Sequence, residues 1–346
     1  MIKAAVIGGT GYAGQELLRI LYRHPQTDVI SVGSKSFAGK PLKSVYRNYE
    51  TITDAVCESA DLKALAEAAD VVFLALPHGI ASAQVNEEIL SQTKIIDLGA
   101  DYRLNDVHIY EAWYGVKHES PALLGQAVYG LCELHRDAVK SARLLANPGC
   151  YTTCSILSLA PLFANGLIEP DSVIIDAKSG VTGAGRSSSL PYSYCEVNEN
   201  IKAYKVAAHR HTPEIEQELG LLAGNDVTLT FTPHLVPMNR GILAVCYAKL
   251  KEAMDDASLY KVYEDFYHGE YFVRFLGGDL PETKWVKGSN FCDIGLKVDH
   301  RTGRVIVVGA IDNLMKGAAS QAVQNMNVMF GLDEKTGIDF ITDFPV

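Results

Sequence analysis

Lys3-Ala4-Ala5-Val6-Ile7-Gly8-Gly9-Thr10-Gly11-Tyr12-Ala13-Gly14-Gln15-Glu16-Leu17-Leu18 is the stretch that decides the fold. Lys3–Ile7 reads as a short apolar strand. Gln15–Tyr22 sets Leu17, Leu18 and Leu21 at helical spacing before His24-Pro25 stops the helix. Glycines stand between them at 8, 11 and 14. In this setting they allow a tight turn, a close backbone approach to a pyrophosphate, and packing of helix on strand. The unpaired N–H groups of the helix start then face the phosphates. A Rossmann-type dinucleotide-binding unit is expected, with contacts from Gly8, Thr10, Gly11, Tyr12, Ala13 and Gly14.

The next segments repeat that alternation. Val29–Val32, Val71–Leu76 and Lys94–Leu98 read as apolar strands, with helices expected at Leu62–Ala68 and roughly Ala81–Leu90. Apolar strands alternating with helices form a parallel sheet covered on both faces. Strand two also bears on the cofactor. An NAD site usually ends that strand in Asp or Glu, to hold the ribose 2′-hydroxyl. Ile30-Ser31-Val32-Gly33-Ser34-Lys35-Ser36 has a hydroxyl and a cation there, which suits a 2′-phosphate. Ser34 and Lys35 are the expected contacts, and NADP(H) the expected cofactor.

After residue 150 the texture changes. Strands at Val173–Ala177, Val227–Phe231, Ile242–Leu250, Cys292–Val298 and Val305–Ala310 alternate apolar and polar residues more openly. Helices are expected near Thr153–Phe163, Pro213–Leu222, Leu259–Tyr267 and Leu314–Phe330. An α+β domain with an antiparallel or mixed sheet follows.

Two stretches carry chemistry. Leu144-Leu145-Ala146-Asn147-Pro148-Gly149-Cys150-Tyr151 runs a strand into a tight turn and then a helix, so Cys150 lies at a helix N-terminus. The helix dipole stabilises a thiolate there. Cys154, one turn on, points into the core. A nucleophilic cysteine needs a proton-transfer partner, commonly histidine. His209-Arg210-His211-Thr212-Pro213-Glu214 offers two, in expected extended backbone where alternate residues share a face, with Thr212 as N-cap.

The 346 residues suit about two domains. A net charge of -10 without basic runs excludes a general nucleic-acid binder, and no apolar stretch is long enough to span a bilayer. Seven scattered cysteines without metal-type spacing predict neither disulfides nor a metal site. The first residues lead straight into a strand without a secretory pattern, so a reduced, cytoplasmic setting is expected.

Together with Ala75–Gly79, Asp97–Leu104, Ser179–Arg186 and Ile311–Gly317, these boxes resemble the N-acetyl-gamma-glutamyl-phosphate reductases over essentially the whole chain. The resemblance implies a semialdehyde dehydrogenase-like or glyceraldehyde-phosphate dehydrogenase-like fold. It implies NADPH-dependent reduction of an acyl phosphate through a cysteine thioester, in arginine biosynthesis. Cys150 would be the nucleophile, and His209 or His211 the acid/base. Arg103, Arg186, Ser179, Gly180 and Glu214 would meet substrate; Pro77 and Asn313 would meet cofactor. The last helix would return to the first domain, giving a dinucleotide domain of 1–149 with 313–346 and a catalytic and oligomerisation domain of 150–312. A homodimer or homotetramer is implied. A sister enzyme acting on a carrier-bound amino-acyl phosphate shares the chemistry, but its acidic substrate calls for more basic residues.

Overall fold

The computed structural model describes residues 1–187, 189–342 and 344. The chain forms two compact units: Met1–Pro148 with Ala318–Asp339, and Gly149–Gly317 with the residues from Phe340 on.

The first unit holds six parallel strands, β1 (Ile2–Ile7), β2 (Thr27–Gly33), β3 (Val71–Leu74), β4 (Lys94–Asp97), β5 (Val128–Tyr129) and β6 (Leu144–Ala146), in the order β2-β1-β3-β4-β6-β5. Ala4, Ala5, Val6 and all of β3 are buried, as strands covered on both faces must be. The chain leaves β1 for β2 on one side and then crosses to β3 on the other. That reversal places a switch point at the carboxyl end of β1, where such sheets bind ligands. Helix Tyr12–Leu21 begins there and buries Leu17, Leu18, Ile20 and Leu21.

Two helices are shorter than their spacing suggests. The expected helix at 81–90 is confined to Glu87–Gln92, because the Asn86 side chain caps Ile89 N–H and starts it late. Upstream, the buried Asp101 carboxylate takes the N–H groups of Gly79 (2.6 Å) and Ser82 (2.9 Å) and the Tyr110 hydroxyl (2.7 Å), fixing a loop instead. The last helix spans Ala319–Met329 rather than 314–330. Asp312 Oδ1 accepts from Leu314 and Met315 N–H, and Gly317 N–H closes onto Asp312 O, so those residues turn. Once begun, the helix is buried throughout, and Asn325 Nδ2 donates to Gly130 O at 2.7 Å.

The second unit holds a mixed seven-stranded sheet: β7 (Ile174–Ser179), β8 (Lys202–Ala203), β9 (Thr230–Leu235), β10 (Ile242–Lys249), β11 (Val273–Phe275), β12 (Cys292–Asp299) and β13 (Arg304–Ile311). Their order is β11-β12-β13-β10-β7-β9-β8. β9 starts later than its apolar residues suggested, with Val227 and Leu229 buried just ahead of it. Along β7, β9 and β10 buried and half-exposed residues alternate, so one face is covered and the other is not. Helix Cys150–Ala164 packs on the sheet, with Tyr151–Phe163 all buried. Gly309 on β13 permits this approach, since a Cβ there would lie 2.1 Å from Ser158 Oγ.

Candidate active site

The dinucleotide cradle is built by steric necessity. Gly8 has φ +87°, and a Cβ on it would stand 2.2 Å from Ala75 O. A Cβ on Gly14 would stand 2.2 Å from Gly8 O. A Cβ on Gly11, by contrast, would meet only Gly8 O at 3.5 Å, so the protein itself does not demand glycine there. What Gly11 keeps open is the space before the helix start, where a pyrophosphate sits in this fold, and the residues fit a dinucleotide. Thr10 and Ser34 hydroxyls share a buried 2.7 Å hydrogen bond, making Ser34 part of the cradle wall. Lys35 is exposed beside it, and Tyr12 opens the helix. Pro77 is exposed in the loop held by Asp101.

In the second unit, Gly149 takes extended backbone (φ -70°, ψ 157°) and Cys150 is the first residue of the helix. The thiol is partly exposed, whereas Cys154 is fully buried and its pKa is pushed up by burial. The turn is pinned from below. Glu214, fully buried in the first turn of helix Thr212–Ala223, accepts from Gly149 N–H at 2.9 Å and lies 2.8 Å from Thr152 Oγ1. The structure thus puts Glu214 under the start of the cysteine helix, where the sequence suggested a substrate contact. Gly317 completes the support, because a Cβ on it would lie 2.7 Å from Cys150 Cβ.

Cys150, Tyr151, Ser179, Gly183, Ala184, Tyr192, Tyr204, Lys205, His209, Arg210, His211 and Leu235 line one cavity of about 180 Å³. The structure therefore brings together Cys150, both histidines and Ser179. The pair is not one extended segment: His211 has helical backbone (φ -80°, ψ -12°), Thr212 N–H closes onto His209 O, and the helix starts at Thr212 itself. Their rings still meet edge-to-face, centroids 4.8 Å apart. Tyr151, Tyr204 and Phe231 close around His209.

His209 is 8% exposed, and its pKa is lowered to about 2, chiefly by burial and then by the charges of His211, Lys205 and Arg210. The neutral ring accepts the His211 backbone N–H at Nδ1 (3.2 Å), which leaves the proton on Nε2.

The remaining expected residues are scattered. Gly180 is glycine because a Cβ would meet Asn239 O at 2.6 Å. Arg186 is exposed, two residues past the cavity-lining Ala184. Arg103 lies in the first unit, buried, donating to Asn147 O (2.8 Å) and Leu98 O (2.9 Å). Asn313 falls in the second unit, 2% exposed; its Oδ1 accepts from Gly241 N–H (2.8 Å) and its Nδ2 donates to Thr182 Oγ1 (3.0 Å). It ties down the 181–184 turn beside the cavity. Tyr192, Tyr204, Lys205 and Arg210 escaped the sequence reading. Arg210 alone carried a signal, lying between the two histidines.

Among the described residues, no group of three or more His, Cys, Asp or Glu could hold a metal ion, and no helix is long and apolar enough to cross a membrane.

Comparison with known proteins agrees with this architecture. Residues 3–142 match the semialdehyde dehydrogenase NAD-binding domain, and residues 150–313 the semialdehyde dehydrogenase dimerisation domain. N-acetyl-gamma-glutamyl-phosphate reductases from Lachnoclostridium phytofermentans and Campylobacter jejuni are 54% and 52% identical, the first over all of both chains and the second over 99% of each. Among solved structures, aspartate semialdehyde dehydrogenase II of Vibrio cholerae shares the fold, with TM-score 0.72 at 15% identity over 96% of this chain and 98% of its own. Full-length identity above half makes this chain a member of the N-acetyl-gamma-glutamyl-phosphate reductase family.

Proposed function

We propose that the protein reduces N-acetyl-L-glutamyl 5-phosphate to N-acetyl-L-glutamate 5-semialdehyde with release of phosphate, using NADPH, in arginine biosynthesis. One observation carries the reading: a partly exposed cysteine at the first position of a helix shares a cavity with two histidines and two further cations.

Cys150 Sγ, as thiolate, forms a bond to the acyl carbon. The bond from that carbon to the phosphate oxygen breaks, its electron pair leaves with phosphate, and a thioester remains. NADPH on the glycine cradle supplies the hydride that this two-electron reduction requires. As the thioester carbon becomes tetrahedral, its oxygen gains charge. His209 donates to it from Nε2, and the Cys150 N–H at the helix start is the second donor. Collapse of the thiohemiacetal breaks the C–S bond, returns the thiolate and frees the aldehyde. His211 is the remaining proton carrier on the cavity. Arg186 is the cation for the substrate carboxylate, for which a planar fork is suited. The half-exposed sheet face around Asp176, Thr232, His234 and Tyr247 is the contact surface of a homodimer.

The direct test is phosphate-dependent reduction of NADP with N-acetylglutamate semialdehyde, run against aspartate semialdehyde. Turnover of the second substrate alone would overturn the assignment. Two variants refine it. Lys35→Ala is expected to raise KM for NADPH about tenfold, the worth of one charge-assisted hydrogen bond, and to leave KM for NADH unchanged. An equal change for both would remove Lys35 from 2′-phosphate recognition.

Because His209 stays neutral down to about pH 2, His209→Asn is expected to lower kcat on the order of 10²-fold while leaving every inflection of the pH profile in place. The unfolded imidazole takes a proton near pH 6.5 and the folded one only near 2, so stability is lost as pH falls below about 6.5. Urea unfolding of His209→Asn between pH 5 and 8 should show a flatter slope than wild type. A steeper one contradicts the neutral-ring account.

A further inference from the structure

Lys205 lines the cavity with Cys150 and the histidines, and nothing in its sequence neighbourhood singled it out. Its backbone is left-handed, φ 46°, as is that of Ala207, φ 55°. Such residues stay there only where their surroundings hold them, and they cluster at functional sites. Here the surroundings can be named. Tyr204 N–H is bonded to Pro233 O, and Ala208 N–H closes a turn onto Lys205 O. Beyond it His209 is locked among three aromatic rings. Lys205 is pinned on both sides.

Its ammonium makes no ion pair among the described residues; partial burial and the neighbouring Arg210 both act against its charge. A cation held beside a second cation at the rim of a cavity suits an anion that arrives with the substrate.

We infer that Lys205 binds the phosphoryl group of the acyl phosphate and meets its charge as it leaves. The inference rests on the reaction proposed above. The substrate brings two anions. Its carboxylate stays bound through the whole cycle, whereas phosphate must escape to solvent each turn. Lys205 is exposed, and a compact, strongly hydrated ammonium on a flexible stem holds an anion without a rigid fork. When Cys150 Sγ bonds to the acyl carbon, the carbon–oxygen bond breaks and the electron pair moves onto phosphate. Lys205 lines the cavity that holds Cys150, and its ammonium is the group assigned to meet that added charge.

The test runs the reaction in the oxidative direction, with inorganic phosphate, N-acetylglutamate semialdehyde and NADP each varied. Lys205→Gln is expected to raise KM for phosphate roughly ten- to hundredfold, the loss of one charge-assisted hydrogen bond, with KM for semialdehyde and NADP unchanged. Lys205→Arg should restore most of the phosphate affinity, and both variants should melt with wild type. An unchanged phosphate KM in Lys205→Gln overturns the inference. So does a rise confined to the semialdehyde, which would assign Lys205 to the carboxylate, or a rise in all three with a lowered melting temperature, which would make it structural. Wild-type protein without phosphate-dependent NADP reduction is a separate failure: it removes the reaction itself.

Discussion

Cys150→Ser is expected to lower kcat for phosphate-dependent NADP reduction on the order of 10⁴–10⁶-fold, as loss of a covalent nucleophile does elsewhere. At neutral pH a serine hydroxyl is not ionised, and a helix N-terminus worth about 1 kcal/mol cannot ionise it. The substitution keeps the side-chain volume nearly constant in a position shaped by Gly317 and Glu214. The cradle at Gly8–Gly14 belongs to the other unit. NADPH affinity, read by titrating nicotinamide fluorescence, should therefore stay at the wild-type value. Retained turnover in Cys150→Ser would mean that the acyl group never passes through this sulfur.

The second large effect is expected at a residue with no direct part in the chemistry. Glu214→Ala removes the acceptor of Gly149 N–H and a partner of Thr152 Oγ1, both buried. Thr152 Oγ1 keeps Gly149 O as an acceptor at 2.6 Å, so the buried Gly149 N–H alone is left without one, and the variant should lose roughly 1–3 kcal/mol. The turn carrying Cys150 would shift, and a displacement near 1 Å costs about 10²-fold in rate. Glu214→Gln keeps an acceptor oxygen and should retain most of the stability and activity. A ligand role for Glu214 would give the opposite pattern: Glu214→Ala with an unchanged melting temperature and a raised KM for the semialdehyde. Melting curves and steady-state kinetics on the two variants decide between these.

Much of the site was legible in the chain because its signals are local. Asn147-Pro148-Gly149 must turn, and the apolar run that follows must be a helix, so Cys150 had to start it. Gly8, Gly11 and Gly14 were recognisable for the same reason, since a turn between strand and helix is settled by neighbours in sequence. Where local signals competed with distant partners, the partners prevailed. Residues 81–86 have helical spacing, yet Asp101 holds the preceding loop and Asn86 starts the helix late. Residues 314–318 are apolar enough for helix, yet Asp312 draws their N–H groups into turns.

By itself, then, the order of residues determined a parallel nucleotide-binding sheet, a mixed-sheet second unit, a cysteine at a helix start and two histidines near a helix start. Only the tertiary structure decided that Glu214 lies beneath the cysteine turn, that Gly317 makes room for its Cβ, that burial lowers the His209 pKa while its Nδ1 accepts a backbone N–H, and that Lys205 belongs to the cavity. The physical reason is range. Turn geometry and helix starts depend on a few consecutive residues. Burial, tautomer and cavity lining depend on side chains tens of residues apart, which the sheet and its helices bring together only after folding.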